Sequence, residues 1–529
     1  MKMKDLLHSS HKQCNQIPLE EIQQAQIGLK KLYFNVITKT LFIFFSLIVF
    51  LWGCEDFLQK NPQGELTQES FPVTAEDALL ATNAAYTTLR EWYYHSGGYP
   101  ILEIMSDDAT KGSNPNDQLA TVGPYDNFQH TPTQDGLDRW WTKVYEGIKR
   151  ANVVIVKVSE ISMDTILRNR YVAEARFLRG LYYFDMVRAW GGVPKVITLT
   201  PPLKLVRSTE QEIYDLIESD LLYAIDHLDE KSDLDAADIG RATKGAAKAL
   251  LAKVYLFQKD YTNAEKYLLE VIQSEEYGLE PVFIDANGVN GENGPESIFE
   301  IGALQVDGTE NGGNQYANTQ GVRGTPNRGW GFNRPSLDLR YSFEPGDPRL
   351  AGTIIDLGDI IDGVTILGDG STPDETRDEE GNLVEIECYN RKVWIPGTNT
   401  ITQWGHNRRI LRYADVLLMT AEILNENDKS SQALIYLNEV RARAREGNNT
   451  ILPDITVSDK DELRNLILEE RRHELALEGH RFWDLVRTGK AGEILGEMGY
   501  ETGIHELLPI PQNEIDISQG SLIQNPNWE

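Results

Sequence analysis

The segment HELALEGH, His473 to His480, places two histidines and two glutamates within one short stretch. A zinc-protease helix needs its histidines four apart so that both face one metal, but here residue 477 is leucine and the histidines stand seven apart. Glu474 and Glu478 then read as an ordinary charged helix face. Neither a GxSxG nucleophile elbow nor a GxxxxGK[ST] phosphate loop occurs in the chain. DANGVNGENGPE, Asp285 to Glu296, has the length of a calcium loop. It puts Val289 and Asn290 where a ligand and the turn glycine belong, so calcium is only a weak expectation there and no cofactor is implied. With 81 acidic residues, paired carboxylates for glycoside hydrolysis have many candidates, yet such pairs are defined by separation in space and none stands out in sequence.

One residue does carry identifiable chemistry. The apolar run Leu41 to Trp52 is preceded by Lys30, Lys31 and Lys39 and followed at once by Glu55 and Asp56. As a helix it would rise about 18 Å, short of the roughly 30 Å hydrocarbon core of a bilayer. A basic flank, a short apolar core and a small residue before a cut site describe an export signal. Leu51-Trp52-Gly53-Cys54 has the shape of a bacterial lipobox, in which the cysteine thiol is acylated and becomes the first residue of the mature chain. Residues 1–53 are therefore read as leader, with 1–26 an over-long gene start, and 54–529 as one body. Cys14 leaves with the leader and Cys54 is lipidated, so Cys388 stands alone and a disulfide framework is excluded.

The formal charge of −30 argues against nucleic acid, whose phosphates need Lys and Arg, and against electrostatic docking on anionic lipid. Membrane attachment is expected from acyl chains alone.

Helical periodicity dominates both ends of the body. Runs are predicted over Thr74–Tyr94, Trp140–Val158, Tyr171–Pro194, Ser208–Leu228, Thr243–Gln258, Tyr261–Ser274 and Ala414–Ala444. Thr74 followed by Asp77 reads as a capped start, and Gly191-Gly192 before Pro194 as a stop. Ala173, Ala175 and Gly180 are small enough to admit a neighbouring helix closely. Two stretches, AAKALLAKVYLFQKDYTNAEKYLLEVI and ADVLLMTAEILNENDKSSQALIYLNEVRARA, alternate small and large residues as tetratricopeptide helix pairs do. The fold class is thus mostly α: a helical part over 54–278, a loop-rich part with a few short strands over 279–405, and C-terminal helices and a tail over 406–529. Within the loop-rich part, Asp356 to Asn382 reads as an exposed excursion.

Several blocks in order resemble one family: CEDFLQ, EARFLRGLYYFDMVRAWGGVP, RILRYADVLLMTAEILNE, ERRHELALEGHRFWDLVRTG, LLPIPQNEI and QNPNW. They are similar to the SusD/RagB family of outer-membrane nutrient-binding lipoproteins of Bacteroidetes, across essentially the whole mature chain. The resemblance implies tetratricopeptide-like pairs scaffolding a loop-rich half, a non-enzymatic protein, and a SusC-like TonB-dependent barrel as partner. It also implies a glycan ligand, or a peptide in some branches, and Glu55-Asp56 looks like the surface-export signal of these lipoproteins. Within the shared blocks Arg176, Arg188, Glu470, Arg471, Glu474, Glu478 and Arg481 suit charged networks between packed helices better than ligand contact. A glycoside hydrolase and a protein scaffold without small ligand are the alternatives.

A sugar ring offers a C–H face and a rim of hydroxyls, so its site wants a rigid aromatic platform beside amides, carboxylates or guanidinium groups. In the resembled family the pocket is built from loops early and midway in the mature chain. Two stretches here match: Ser106 to Phe128, with Asp107, Asp108, Asn114 and Tyr125, and Gln315 to Ser336, with Arg323, Arg328, Trp330 and Asn333. Trp330, between two glycines, is either the platform or an anchor packed under its loop; Trp394 and Trp404 rank behind it, Trp394 as a half-buried strand residue. Asp107, Asp108 and Asn114 suit loop hydrogen bonding as well as ligand contact. Arg323, Arg328 and Arg334 form either a solvated face or a grip for carboxylate or sulfate groups on the ligand.

Overall fold

The computed structural model describes residues 20, 24, 27, 28, 30–40, 71–202, 204–305, 312–397 and 405–528. The chain forms two units, Met1–Phe71 and Pro72–Glu529, and the fold below is that of the second. Cys54 and Trp404 lie outside the described residues. No helix among those described is long and apolar enough to cross a membrane.

Ten helices of eight or more residues are described in the second unit. They are α1 (Ala75–Thr87), α2 (Asp135–Lys157), α3 (Thr165–Trp190), α4 (Glu210–His227) and α5 (Lys244–Phe257), then α6 (Tyr261–Gln273), α7 (Tyr413–Glu426), α8 (Ser430–Ala444), α9 (Lys460–Leu475) and α10 (Arg481–Thr488). Their starts are chemically marked. Thr74 and Asp77 form a capping box on α1, Thr209 and Glu212 another on α4, and the Asp164 and Asp260 carboxylates accept from the first turns of α3 and α6. The run predicted over Thr74–Tyr94 stops being α-helical at Thr87 and continues as 3-10 turns through Tyr94.

Packing follows the small residues. A methyl placed on Gly180 of α3 would sit 3.2 Å from Leu221 of α4, and one on Gly147 of α2 would collide with the Tyr182 ring at 2.5 Å. The expected pairs α5/α6 and α7/α8 form, and α6 and α9 flank α7, so the helices bury one continuous apolar core.

The loop-rich part contributes short antiparallel strand pairs. β1 (Ala109–Gly112) pairs with β3 (Phe332–Pro335), and β2 (Ser297–Ile301) with β10 (Arg408–Arg412). β4 (Ile354–Asp356) pairs with β9 (Cys388–Asn390), β5 (Ile360–Ile361) with β6 (Val364–Thr365), and β7 (Glu375–Arg377) with β8 (Leu383–Ile386). The excursion at 356–382 is largely exposed, but Ile361, Ile366 and Thr372 anchor it inward.

What joins the helices to the loops is charge. Arg412, at the end of β10, is 1% exposed and donates to Glu296 at 2.6 Å, Glu474 at 2.6 Å and Glu478 at 2.7 Å. Arg349 reaches Glu470 at 2.6 Å, Arg471 bridges Asp415 and Asp484, and Lys392 meets Glu478 at 2.6 Å. On the helical side Arg179 and Arg176 close on Asp220, and Arg188 on Asp185. The charged networks expected from the shared blocks therefore exist, and Glu474 and Glu478 of HELALEGH are structural acceptors. Glu296, last in the calcium-length loop, is held by Arg412 and Arg443 and is not free to ligate.

Burial alone would raise the Glu478 carboxyl, but Arg412 and Lys392 lower it from 4.5 to about 2. A carboxyl depressed on folding stabilises fully above its unfolded value, and that contribution is lost as pH falls through the folded one. Urea unfolding at stepped pH is expected to show stability declining from about pH 4.5 toward 2. In Glu478→Gln this acid decline should shrink. Arg412→Ala, which removes one buried cation from three buried carboxylates and leaves them to Arg443, Arg349 and Lys392, should cost about 3–5 kcal/mol.

Candidate functional site

The face that gathers exposed aromatic rings is built by two loops. The first follows α1, where REWYYHSGGYP turns through Trp92, Tyr93 and Tyr99; the second carries Trp330 just before β3. All four rings are half-buried. Trp92 meets Trp330 edge-on at 5.6 Å, Tyr99 edge-on at 5.5 Å and Tyr93 at 5.0 Å, and Tyr99 packs on Phe332 of β3 at 4.8 Å. Edge-to-face arrangements leave part of each ring face open while fixing its plane.

Glycines make this geometry possible. Gly98 has φ +100, and a methyl there would lie 2.9 Å from Trp92 Cε2. At Gly329 a methyl would strike the Asn318 carbonyl oxygen at 2.4 Å, so the chain before Trp330 lies directly on the short helix Tyr316–Gln320. Trp330 N–H donates to that same Asn318 carbonyl at 2.9 Å, fixing the backbone that carries the indole.

Polar groups rim the rings. The Gly331 carbonyl accepts from Ser113 N–H at 2.6 Å, bringing loop 112–117 alongside. Lys111 Nζ donates to the carbonyls of Gly112, Asn114 and Asp117 and closes that loop. Asn114 is half-exposed, its side-chain oxygen accepting from Asn116 N–H. Arg323 bonds Asp117, Ser113 and Asp369, the last at 2.6 Å from the tip of the 356–382 excursion. Burial, then Tyr93 and Asp117, push the Tyr99 phenol up to about 12, so it remains a neutral donor at any ordinary pH.

The structure keeps Trp330, Arg323 and Asn114 together at this face and removes five other expected residues from it. Tyr125 is 1% exposed and stacks on His130, filling the core. Asp107 and Asp108 turn inward onto Arg481 and Arg472, locking their loop to α9 and α10. Arg328 is buried over the Trp394 ring at 4.6 Å and donates to the Ile395 carbonyl at 2.5 Å. Asn333 is fully buried and donates to Gln320. Trp394 is 8% exposed rather than half-buried, lies outside the strands, and donates to Asp362 at 2.6 Å. Arg334 is buried against Glu385, so the three arginines form no open patch.

The residues sequence reasoning missed are Trp92, Tyr93 and Tyr99. Trp92 and Tyr93 fall at the tail of a predicted helix, and Tyr99 lies outside every predicted run; the signal is an aromatic run followed within a few residues by Gly97-Gly98, a poor continuation of an α-helix. A cleft of about 340 Å³ elsewhere is lined by Trp141, Tyr145, Pro194, Pro201 and Leu205, with Thr142, Lys149 and Glu514 among its polar groups.

Fold and face together describe a mostly helical protein that displays aromatic rings on rigid loops. Comparison with known proteins places it more narrowly. A SusD family model matches residues 295–528, and a second, described as starch-binding associating with outer membrane, matches residues 56–256. A SusD-like protein, P2, of Formosa agariphila is 30% identical over 526 residues, covering 92% of this chain and 99% of the relative. A laminarin-binding SusD-like protein of known structure superposes with TM-score 0.73 at 30% identity, covering 86% of this chain and 100% of that one. Surface glycan-binding protein A of Bacteroides thetaiotaomicron, in complex with laminarihexaose, gives TM-score 0.72 at 27% identity over 86% of this chain and 100% of that one. The chain belongs to the SusD family.

Gly98→Ala should displace the Trp92 indole, since strain at positive φ and the methyl collision act together. The expected result is a shifted tryptophan emission maximum and a stability loss of about 1–3 kcal/mol.

Proposed function

We propose that this chain is a surface lipoprotein that captures an oligomeric glycan on the Trp92–Tyr99–Trp330 face and passes it to a TonB-dependent outer-membrane barrel. The carrying observation is the face itself: half-exposed indole and phenol rings from two separate loops, each held by backbone contacts and rimmed by hydrogen-bonding groups. Such rings are ordered before binding, so little entropy is lost when a sugar stacks on them. Arg323, Asn114 and Asp117 then supply edges for hydroxyls. Laminarin and laminarihexaose binding by similar proteins supports a glycan over a peptide.

The role is capture rather than cleavage. Asp117 and Asp369, the carboxylates at the Arg323 edge of the face, are both engaged by that arginine, and a general acid would need one freed and raised toward neutrality. Attachment rests on Cys54 of the lipobox, and the outer-membrane setting on the description of the family model matching residues 56–256. Mass spectrometry of protein from its host should find an acylated Cys54 as first residue, and mild detergent extraction should bring a barrel with it.

Affinity electrophoresis on laminarin and soluble starch tests the site. Trp330→Ala and Trp92→Ala should each weaken retention at least tenfold, about 1.4 kcal/mol, with unchanged circular dichroism. Retention unaffected by both substitutions would refute this face as the site.

A further inference from the structure

The second loop holds three arginines within twelve residues of a chain whose formal charge is −30, an arrangement that invites an acidic ligand. The structure engages each cation differently, but always with groups of the protein itself. Arg328 and Arg334 are 3% exposed, the first bonded to the Ile395 carbonyl, the second paired with Glu385 at 3.0 Å. Lys111 is 6% exposed and closes on three carbonyls of its own loop. Of the first loop's neighbours, Arg139 lies over Tyr93 and pairs with Asp135, and Arg90 donates to the Gly312 carbonyl at 2.9 Å.

Arg323 is a solvent-reached cation beside Trp330, its side chain 30% exposed, whereas Arg139, 44% exposed over Tyr93, stays paired with Asp135. A methyl on Gly331, next to Trp330, would sit 3.2 Å from Arg323 Cβ. Its guanidinium is flanked by two carboxylates, Asp117 on one side and Asp369 on the other. Asp369 is in turn fixed by Ser371 and Thr372 N–H groups at 2.9 and 2.7 Å. One positive and two negative charges leave the rim net negative. A sulfate or uronate arriving there would have to displace a carboxylate already bonded to the arginine, against the repulsion of the other. A neutral sugar needs only hydroxyl contacts and meets no such barrier.

Resting on the glycan reading above, the geometry points to an uncharged oligosaccharide as the ligand class, with Asp117 and Asp369 as the specificity-determining residues. They hold Arg323 as a fixed hydrogen-bonding edge and deny its charge to anionic ligands.

The test uses the purified protein on laminarin and soluble starch, each as neutral polymer and as carboxymethyl and sulfate derivatives, in affinity electrophoresis at low and physiological salt. The neutral polymer should be bound at least tenfold more tightly than its charged forms, with little dependence on salt. In Asp117→Asn/Asp369→Asn the ratio of charged to neutral affinity should rise at least tenfold, most steeply at low salt. Arg323→Gln, which leaves both carboxylates unopposed, should move the ratio the other way and serves if the double variant does not fold. Charged forms bound as tightly as neutral ones by the wild type, or a ratio unmoved by these substitutions, overturns the inference and leaves the glycan reading standing. Retention of none of the polymers overturns both.

Discussion

The structure depends on guanidinium groups buried among carboxylates where α9 ends. An isolated ion in that interior would be prohibitive, so each must be matched in both charge and hydrogen-bond geometry. Arg412 satisfies Glu296, just ahead of β2, and Glu474 and Glu478 from the C-terminal helical segment at once. Three segments distant in the chain are thereby held in one relative position. Around this node Arg349, Arg443 and Lys392 repeat the pattern, so the loop-rich part is bolted to the helices by directional bonds as well as by apolar packing.

The same device reaches the binding face. Arg472 and Arg481, at the end of α9 and the start of α10, hold Asp107 and Asp108 just ahead of β1. β1 pairs with β3, which follows directly from Trp330, and the Arg323 clamp joins both to the excursion. Loops with little regular structure thus become a fixed surface. A platform of rings whose planes are set in advance is what a weakly interacting ligand such as a sugar needs, because little ordering remains to oppose binding. The helical scaffold is shared with the family's relatives, and recognition is left to loops that can vary without disturbing it.

Much of this was legible in the sequence. Helix positions, the capping residue Thr74, the close approach at Gly180, and the paired helices followed from periodicity and residue size, which act locally. Charged networks among Glu470, Arg471, Glu474, Glu478 and Arg481 were legible too, since so many ions on helix faces otherwise packed with apolar residues must find one another. Trp330 stood out because glycine on both sides marks a backbone pressed close to something.

Local pattern could not say which way a loop side chain turns. Asp107, Asp108, Tyr125, Arg328 and Asn333 carry the right chemistry for a sugar, yet all face inward. The arginine donors of Asp107 and Asp108 and the acceptor of Arg328 lie 374, 364 and 67 positions away, while Asn333 and Tyr125 turn to the nearer Gln320 and His130. Trp92 and Tyr99 escaped notice for the converse reason, since only long-range packing against Trp330 and Phe332 turns the residues after a helix into a platform. The sequence by itself determined the scaffold, because helix formation and apolar burial are set by neighbours within a few turns. The tertiary structure alone decided the site, because whether a polar or aromatic group in a loop serves the core or the solvent depends on which distant partner reaches it.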